Sequence, residues 1–369
     1  MSQAEKLGLM VAALPGLAAL GALLSTWMSI EQARGELAVA EQRQITDRYN
    51  AAVRNLGSDS ADVRQGGIHA LQRIMQDSTR DQSAVVSVLS AYARRHAPVP
   101  ASGFVKFDES NPYKTPPDVQ AVLNALATRT ADYDGGQASV DFGATDLRRV
   151  KVLGLDAPKG RAAFDGAIFT DADLRLSYFS SVDLRDTEFS LSNLAGAWFV
   201  DVDLSRAVIQ EADLTLAHLA RVNLTEATLD GSTLHEVEVA PTVNLTKATF
   251  AEADLTGASL EGVNLRNAVL VGADLGGAQL AGANLHGARL SSVDQEAVVA
   301  ELGSSIEENG SLAKADLKGA DLTNADLRGV DLTGADLRNA DVTGAKLAGV
   351  KLDRAKLDGV RGLPPSLRP

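Results

Sequence analysis

Two groups of side chains in this 369-residue sequence have the types and spacing to do chemistry. The first is an acidic and amide series: Asp173, Asp183, Asn193, Asp203, Asp213 and Asn223, then Asn244, Asp254, Asn264, Asp274 and Asn284, evenly spaced within each run. Carboxylates at fixed intervals can act as paired acids, repel phosphate or accept hydrogen bonds from nearby backbone N–H groups. The second group is the five histidines, His69, His96, His218, His235 and His286, which contain no His-x-x-x-His, so a histidine metal site would have to be assembled across the fold. There is no cysteine, which removes disulfides, thiolate zinc sites, iron–sulfur clusters and cysteine nucleophiles. No nucleophile stands beside a base, no glycine loop cradles a phosphate, and no carboxylate pair stands out from the series. The expectation is therefore a non-enzyme without cofactor or metal. Asp173, Asp183, Asp203, Asp213, Asp254 and Asp274, together with Glu301, Glu307 and Glu308, are candidate interaction residues.

The elements that position the series have a period of five. From Val140 onward an apolar residue recurs every fifth position, as in Phe164, Phe169, Leu174, Phe179 and Leu184, with Ala, Ser, Thr or Val two places before it from Phe164 to Leu234. Further blocks run from Leu245 to Leu290 and from Leu317 to Leu357, and with Phe142, Leu147 and Val152 they make 37 units. Neither the helical period of 3.6 nor the strand period of 2 stays in phase with five. Residues i and i−2 lie on one side of an extended segment and can both point inward, while Gly319, Asn324, Gly329 and Gly334 suit the turns. The frame slips at 153–163, at Ala240-Pro241-Thr242, where the spacing lengthens by one, and in a long excursion at 291–311.

With Ala315-Asp316-Leu317-Lys318-Gly319 as a representative unit, this pattern resembles the pentapeptide-repeat family over the greater part of the chain, from Val140 to Leu357. The resemblance implies a mainly β fold: a right-handed quadrilateral β-helix with one pentapeptide per side and four to the coil, here preceded by an α-helical amino-terminal region. At about 4.8 Å per coil, about nine coils make a rod of roughly 44 Å. In such a coil Phe169, Phe179, Phe189 and Phe199 fall alternately on opposite sides, and the acidic series forms ladders on two opposite faces.

The amino-terminal third reads differently. Leu7 to Ile30 is uncharged between Lys6 and Glu31, long enough as a helix to cross about 30 Å of hydrocarbon, and residues 1–35 are expected to be a transmembrane anchor. Arg34, Arg43 and Arg48 outnumber Lys6 near its ends, which predicts a single-pass cell-membrane protein with its carboxy-terminal body in the cytoplasm. Residues 36–97 are expected to hold a juxtamembrane helix ending at Gly57 and a helical hairpin turning at Asp77–Arg80; Val63 to Leu71 resembles one HEAT-type unit. Residues 98–139 read as a proline-punctuated linker and a capping helix with Asp118 as its N-cap, and 140–369 as the β-helix with an insertion at 291–311.

The net charge is −13, and residues 140–311 alone carry 12 Lys/Arg against 26 Asp/Glu. Such a surface repels phosphate, which excludes direct nucleic-acid binding. The expected function is a membrane-anchored scaffold presenting a rigid acidic β-helix to a protein partner that the sequence does not identify. The resemblance implies an alternative, since some family members imitate duplex DNA and bind DNA gyrase or another type II topoisomerase. Gly359 to Pro369 contains three prolines and cannot form a closing helix, so the last coil, around Leu352 and Leu357, is also available for a homo-oligomer contact.

Overall fold

The computed structural model describes residues 3–104, 115–130, 139–154, 162–293 and 309–368, with side chains from residue 24 onward, residues 38 and 162 excepted. Four helices open the chain: α1 (Gln3–Leu56), α2 (Ala61–Asp77), α3 (Gln82–His96) and α4 (Pro117–Ala127). The expected anchor and the helix continuing from it form one element, since α1 runs unbroken to Leu56 and stops before Gly57. Among the described residues no helix is long and apolar enough to cross a membrane, so the transmembrane expectation is not supported; most of its segment, 7–23, lies outside the described side chains. From Leu24 to Glu41 the described side chains are exposed, and Glu31, Arg34, Glu36 and Glu41 interrupt the apolar ones. Only the last turns are packed, with Ala52 and Leu56 buried and Ile45 and Tyr49 against them.

The helical hairpin α2–α3 forms where the periodicity places it, burying Ile68, Leu71, Ile74, Val85 and Leu89. Its resemblance to a HEAT-type unit finds no further support. Asp118 is not the N-cap of α4; Pro116 takes that position and Pro117 opens the helix. Asp118 instead lies buried one residue further in, where it accepts hydrogen bonds from Tyr92 Oη at 2.6 Å and Arg64 Nε at 2.7 Å. Burial raises its pKa, but the bonds from Tyr92 and Arg64 outweigh that and hold the carboxyl below its ordinary range. This triad pins α4 to α2 and α3.

The helices close one end of the rod. Val99 N–H donates to Ala144 O at 2.8 Å, and Asp146 N–H donates to Ala97 O at 2.6 Å. Side chains of Thr115, Gln120 and Arg129 donate to the carbonyls of Arg148, Lys151 and Ala163. The segment expected as a linker is thus stitched to the first coil on both sides of 105–114, and one apolar core runs from Ala52 to Leu363.

Beyond the helices, parallel pairs recur 20 positions apart: Asp183 with Asp203, Glu188 with Val208, Asn193 with Asp213 and Trp198 with His218. A coil therefore holds four pentapeptides. Each central residue donates its N–H to the following coil, as Leu204 does to Asn223 O at 2.7 Å, and its predecessor donates to the coil before, as Asp203 does to Val182 O at 3.1 Å. The ladder is consequently satisfied on both sides of every inner coil. Two positions after most centres the chain turns through a positive φ, which glycine and asparagine occupy at many corners but Leu176, Leu191 and Leu216 also adopt.

All three frame slips fall at corners and leave the columns aligned. Val152 pairs with Phe179, 27 positions on; across Ala240–Thr242 the spacing is 21 on all four columns; and Asp274 pairs with Ser311, 37 positions on, so the excursion enlarges one coil without displacing the next. The excursion's centre, 294–308, lies outside the described residues. Val239 and Leu312 join the core although the pentapeptide frame omitted them. Leu312 was hidden because its i−2 position is Gly310, where a Cβ would stand 2.6 Å from Leu270 O.

The phenylalanines form two stacks, as their alternation between opposite sides predicts. Phe169 and Phe189 stack at 4.8 Å with ring planes 4° apart, Phe179 and Phe199 at 5.3 Å and 5°, and Phe169 meets Phe179 edge-on at 6.4 Å. Each is an arrangement favoured by the ring quadrupole. Further along, leucine replaces phenylalanine, and the axis between Leu219 and Leu275 keeps an apolar cavity of about 10 Å³.

Candidate interaction face

One column of pentapeptides keeps a longer extended segment than the rest. Strands β1 (Lys151–Leu153), β3 (Tyr178–Ser180), β5 (Trp198–Val200), β6 (His218–Ala220) and β7 (Glu238–Val239) form a five-stranded parallel sheet in the order β1-β3-β5-β6-β7, while β2 (Ala162–Ala163) and β4 (Val182–Asp183) pair separately. The central residues Val152, Phe179, Phe199, Leu219 and Val239 point inward and are buried. Their neighbours point outward because alternate side chains of a strand take opposite faces. The register therefore lines up Tyr178, Trp198, His218 and Glu238 on the outside, one per coil.

This outward column is an aromatic ladder with an acidic foot. The Trp198 and His218 rings stack at 3.9 Å, and His218 Nδ1 lies 2.6 Å from Glu238 Oε2. Trp198 is 46% exposed. Beside it an open groove of about 540 Å³ runs past Val200, Ala220, Pro241, Glu238 and Glu261. Leu153, Leu176 and Leu216 border the same face and are exposed. Leu176 leans onto the next coil over Gly196, where a Cβ would stand 2.7 Å from Leu176 Cδ2.

The sequence-predicted acidic residues do something plainer. Asp173, Asp183, Asp203, Asp213, Asp254 and Asp274 each accept, through Oδ1, the N–H two positions further on, from Arg175, Arg185, Ser205, Thr215, Thr256 and Gly276. They close the turns that bend the chain at each corner. They do form two columns half a coil apart, Asp173-Asn193-Asp213 and Asp183-Asp203-Asn223, as expected. Asp173 is buried and clamped by Arg175 and Arg148, and Asp183 is paired with Arg185. Asp254 and Asp274 lie in adjacent coils of the Asp173 column. Glu301, Glu307 and Glu308 lie outside the described residues.

The corner residues carry further charge in coil-to-coil pairs: Asp186 with Arg206, Asp201 with Arg221, and Glu226 with Lys247. Asp186 is held below its ordinary range by the hydrogen bonds from Arg206. Asp230 shifts the other way: burial pushes its carboxyl up, beside an outward-facing buried cluster of Ala251, Val269 and Val271. No group of acidic or histidine side chains among the described residues is arranged to hold a metal ion.

The aromatic ladder was legible in principle. Tyr178, Trp198 and His218 recur at every fourth pentapeptide, each immediately before a central residue, but in a pentapeptide reading they fall among all the other positions of that kind. Only the coil period makes them neighbours.

Comparison with known proteins places this architecture. The pentapeptide repeats family matches in eight copies, at residues 160–196, 197–235, 243–262, 258–294, 308–339 and 325–361. A search of curated proteins finds no match. Among solved structures, the chain is similar to HetL, a pentapeptide repeat protein involved in heterocyst differentiation regulation from the cyanobacterium Nostoc sp. strain PCC 7120, with 29% identity over 62% of this chain and 92% of that one and a TM-score of 0.34. It is also similar to QnrB1, a plasmid-mediated fluoroquinolone resistance protein, with 21% identity over 56% and 92% and a TM-score of 0.33. A third, a pentapeptide repeat protein of the Arabidopsis thaliana thylakoid lumen, shows 27% identity over 31% and 71% and a TM-score of 0.19. Over residues 160–361 the chain belongs to the pentapeptide-repeat family.

Proposed function

We propose that this chain is a non-enzymatic scaffold that binds a protein partner through the Tyr178–Trp198–His218 face of a right-handed, four-sided rod, with α1 as its tether to a membrane. The observation that carries the reading is the outward column of half-buried Tyr178 and His218 around the exposed Trp198, bordered by the exposed Leu153, Leu176 and Leu216. Large exposed apolar groups clustered on one face, ringed by polar ones, favour protein association. The right-handed sense follows the strong preference of parallel crossovers, and the tether rests on the uncharged run Leu7 to Ile30.

Imitation of DNA has less support. It requires rows of free carboxylates, whereas Asp173, Asp183, Asp186, Asp201 and Glu226 are each matched to a cation. A photo-crosslinking amino acid at Trp198 and, as control, at exposed Arg266 in the full chain in cells tests the docking face. Crosslinks to a discrete protein from position 198 and not from 266 are expected. Equal capture from both, or none from 198, sinks the reading.

A further inference from the structure

The docking face has a repeat distance, and that distance selects its partner. Resting on the docking reading above, we infer that the face takes an amphipathic α-helix laid along the rod axis, with apolar residues at i, i+3 and i+7 and a lysine or arginine at i+10 or i+11. Successive coils lie about 4.8 Å apart, and a helix advances about 1.5 Å per residue. Three coil steps therefore equal about 14 Å, the rise of about ten helical residues. An apolar stripe on the partner then meets Leu176 and Tyr178 in one coil, Trp198 in the next and Leu216 and His218 in the third, and reaches Glu236 and Glu238 in the fourth.

Charge fixes which end is which. At the fourth coil Glu236 and Glu238 are exposed beside His235 and His218, and Glu261 lines the groove, while Arg221 is held by Asp201 at 2.5 Å. A partner cation there meets three carboxylates, of which, among the described residues, Glu238 and Glu236 face only the histidines His218 and His235, and clustered carboxylates of this kind attract lysine and arginine. Leu176 and Leu216, which border the face, occupy left-handed corners at φ 58° and 57° while 37% and 52% exposed, a combination that Leu191 shares at a corner away from it.

The test uses the full chain with Trp27→Phe, leaving Trp198 as its one tryptophan. The probe is an alanine-based helical peptide of about 16 residues, with leucines at i, i+3 and i+7 and lysines at i+10 and i+11. Its controls are the same peptide with glutamates for lysines and a scramble of the same composition. Saturable blue-shifted Trp198 emission is expected with the lysine peptide. Affinity falls about tenfold or more for the glutamate peptide and on Leu216→Asp. Glu238→Lys combined with Glu261→Lys reverses the preference between the two peptides. The inference is overturned if the scramble binds as well as the designed helix, or if Leu216→Asp changes nothing. It is also overturned if sedimentation shows a dimer that Leu216→Asp dissolves, which makes the occupant a second copy. Failure of every peptide while position 198 still crosslinks to a protein discards the helix and keeps the docking face; failure of both discards both.

Discussion

At Leu216 two penalties coincide, since a bulky side chain sits in the left-handed region and points into solvent. Strain of this kind costs on the order of 1–3 kcal/mol. Glycine removes it, while the greater freedom of the unfolded chain offsets up to about 1 kcal/mol of the gain. Leu216→Gly is therefore expected to raise stability by about 1 kcal/mol, read as a higher melting temperature, while weakening capture of the helical probe. A lowered melting temperature would mean that Leu216 supports the rod itself. The sequence exposes half of this logic. Gly319 and Asn324 announce their corners by residue type, and the aspartates before each centre announce polar ladders. That Asp173 closes its own turn under two arginines, rather than facing a partner, depends on a corner geometry that no single pentapeptide reveals.

The coil is the element, and its neighbours decide how firmly it is held. Coils near the helices contain the stacked pairs Phe169–Phe189 and Phe179–Phe199, whereas the carboxy-terminal coils rely on leucine and on rows of turn-closing aspartates. Hydrogen bonds from Thr333, Arg338 and Thr343 hold Asp331, Asp336 and Asp341 below the ordinary carboxylate range. A carboxyl whose folded pKa is depressed stabilises the fold fully above its unfolded pKa, and that contribution is lost as pH falls through the folded value. Acidification from pH 7 through and below the ordinary aspartate value of about 3.9 should thus open the coils around Leu332 and Leu337 before those around Phe179 and Phe189. Hydrogen exchange resolved along the chain reads the order, and simultaneous loss would refute it. Period five was legible because each corner repeats the same chemistry. The parallel register across the three slips was not, because only the packed columns show which unit a loop returns to.

Across the whole molecule the two ends are unlike. Helices cover the first coil, while among the described residues a short 3-10 turn, Pro365–Leu367, follows the last, with Leu363 buried beneath it. In that last coil all four outward ladder positions are basic: Lys346, Lys351, Lys356 and Arg361 stand over Asp326, Asp331, Asp336 and Asp341. Among the described residues the N–H groups of Leu347, Leu352 and Leu357 have no backbone acceptor, so the edge could template another chain. Lysines on such an edge discourage pairing. Replacing these four basic residues with glutamine is expected to raise the sedimentation coefficient through end-to-end association; an unchanged coefficient would show that the cations do not keep this edge from pairing. The three prolines after Gly359 already exclude a helix there, but the ring of four cations becomes visible only when successive pentapeptides are seen to share one coil.

The seating of Ala52 and Leu56 in the same core as the rod makes α1 a strut instead of a leash. Its exposed stretch from Leu24 to Glu41 measures about 27 Å at about 1.5 Å per residue. Whatever grips the far tip of that helix sets a minimum clearance for the aromatic column, so a partner would be met at a set height and bearing, not anywhere within the sweep of a slack chain.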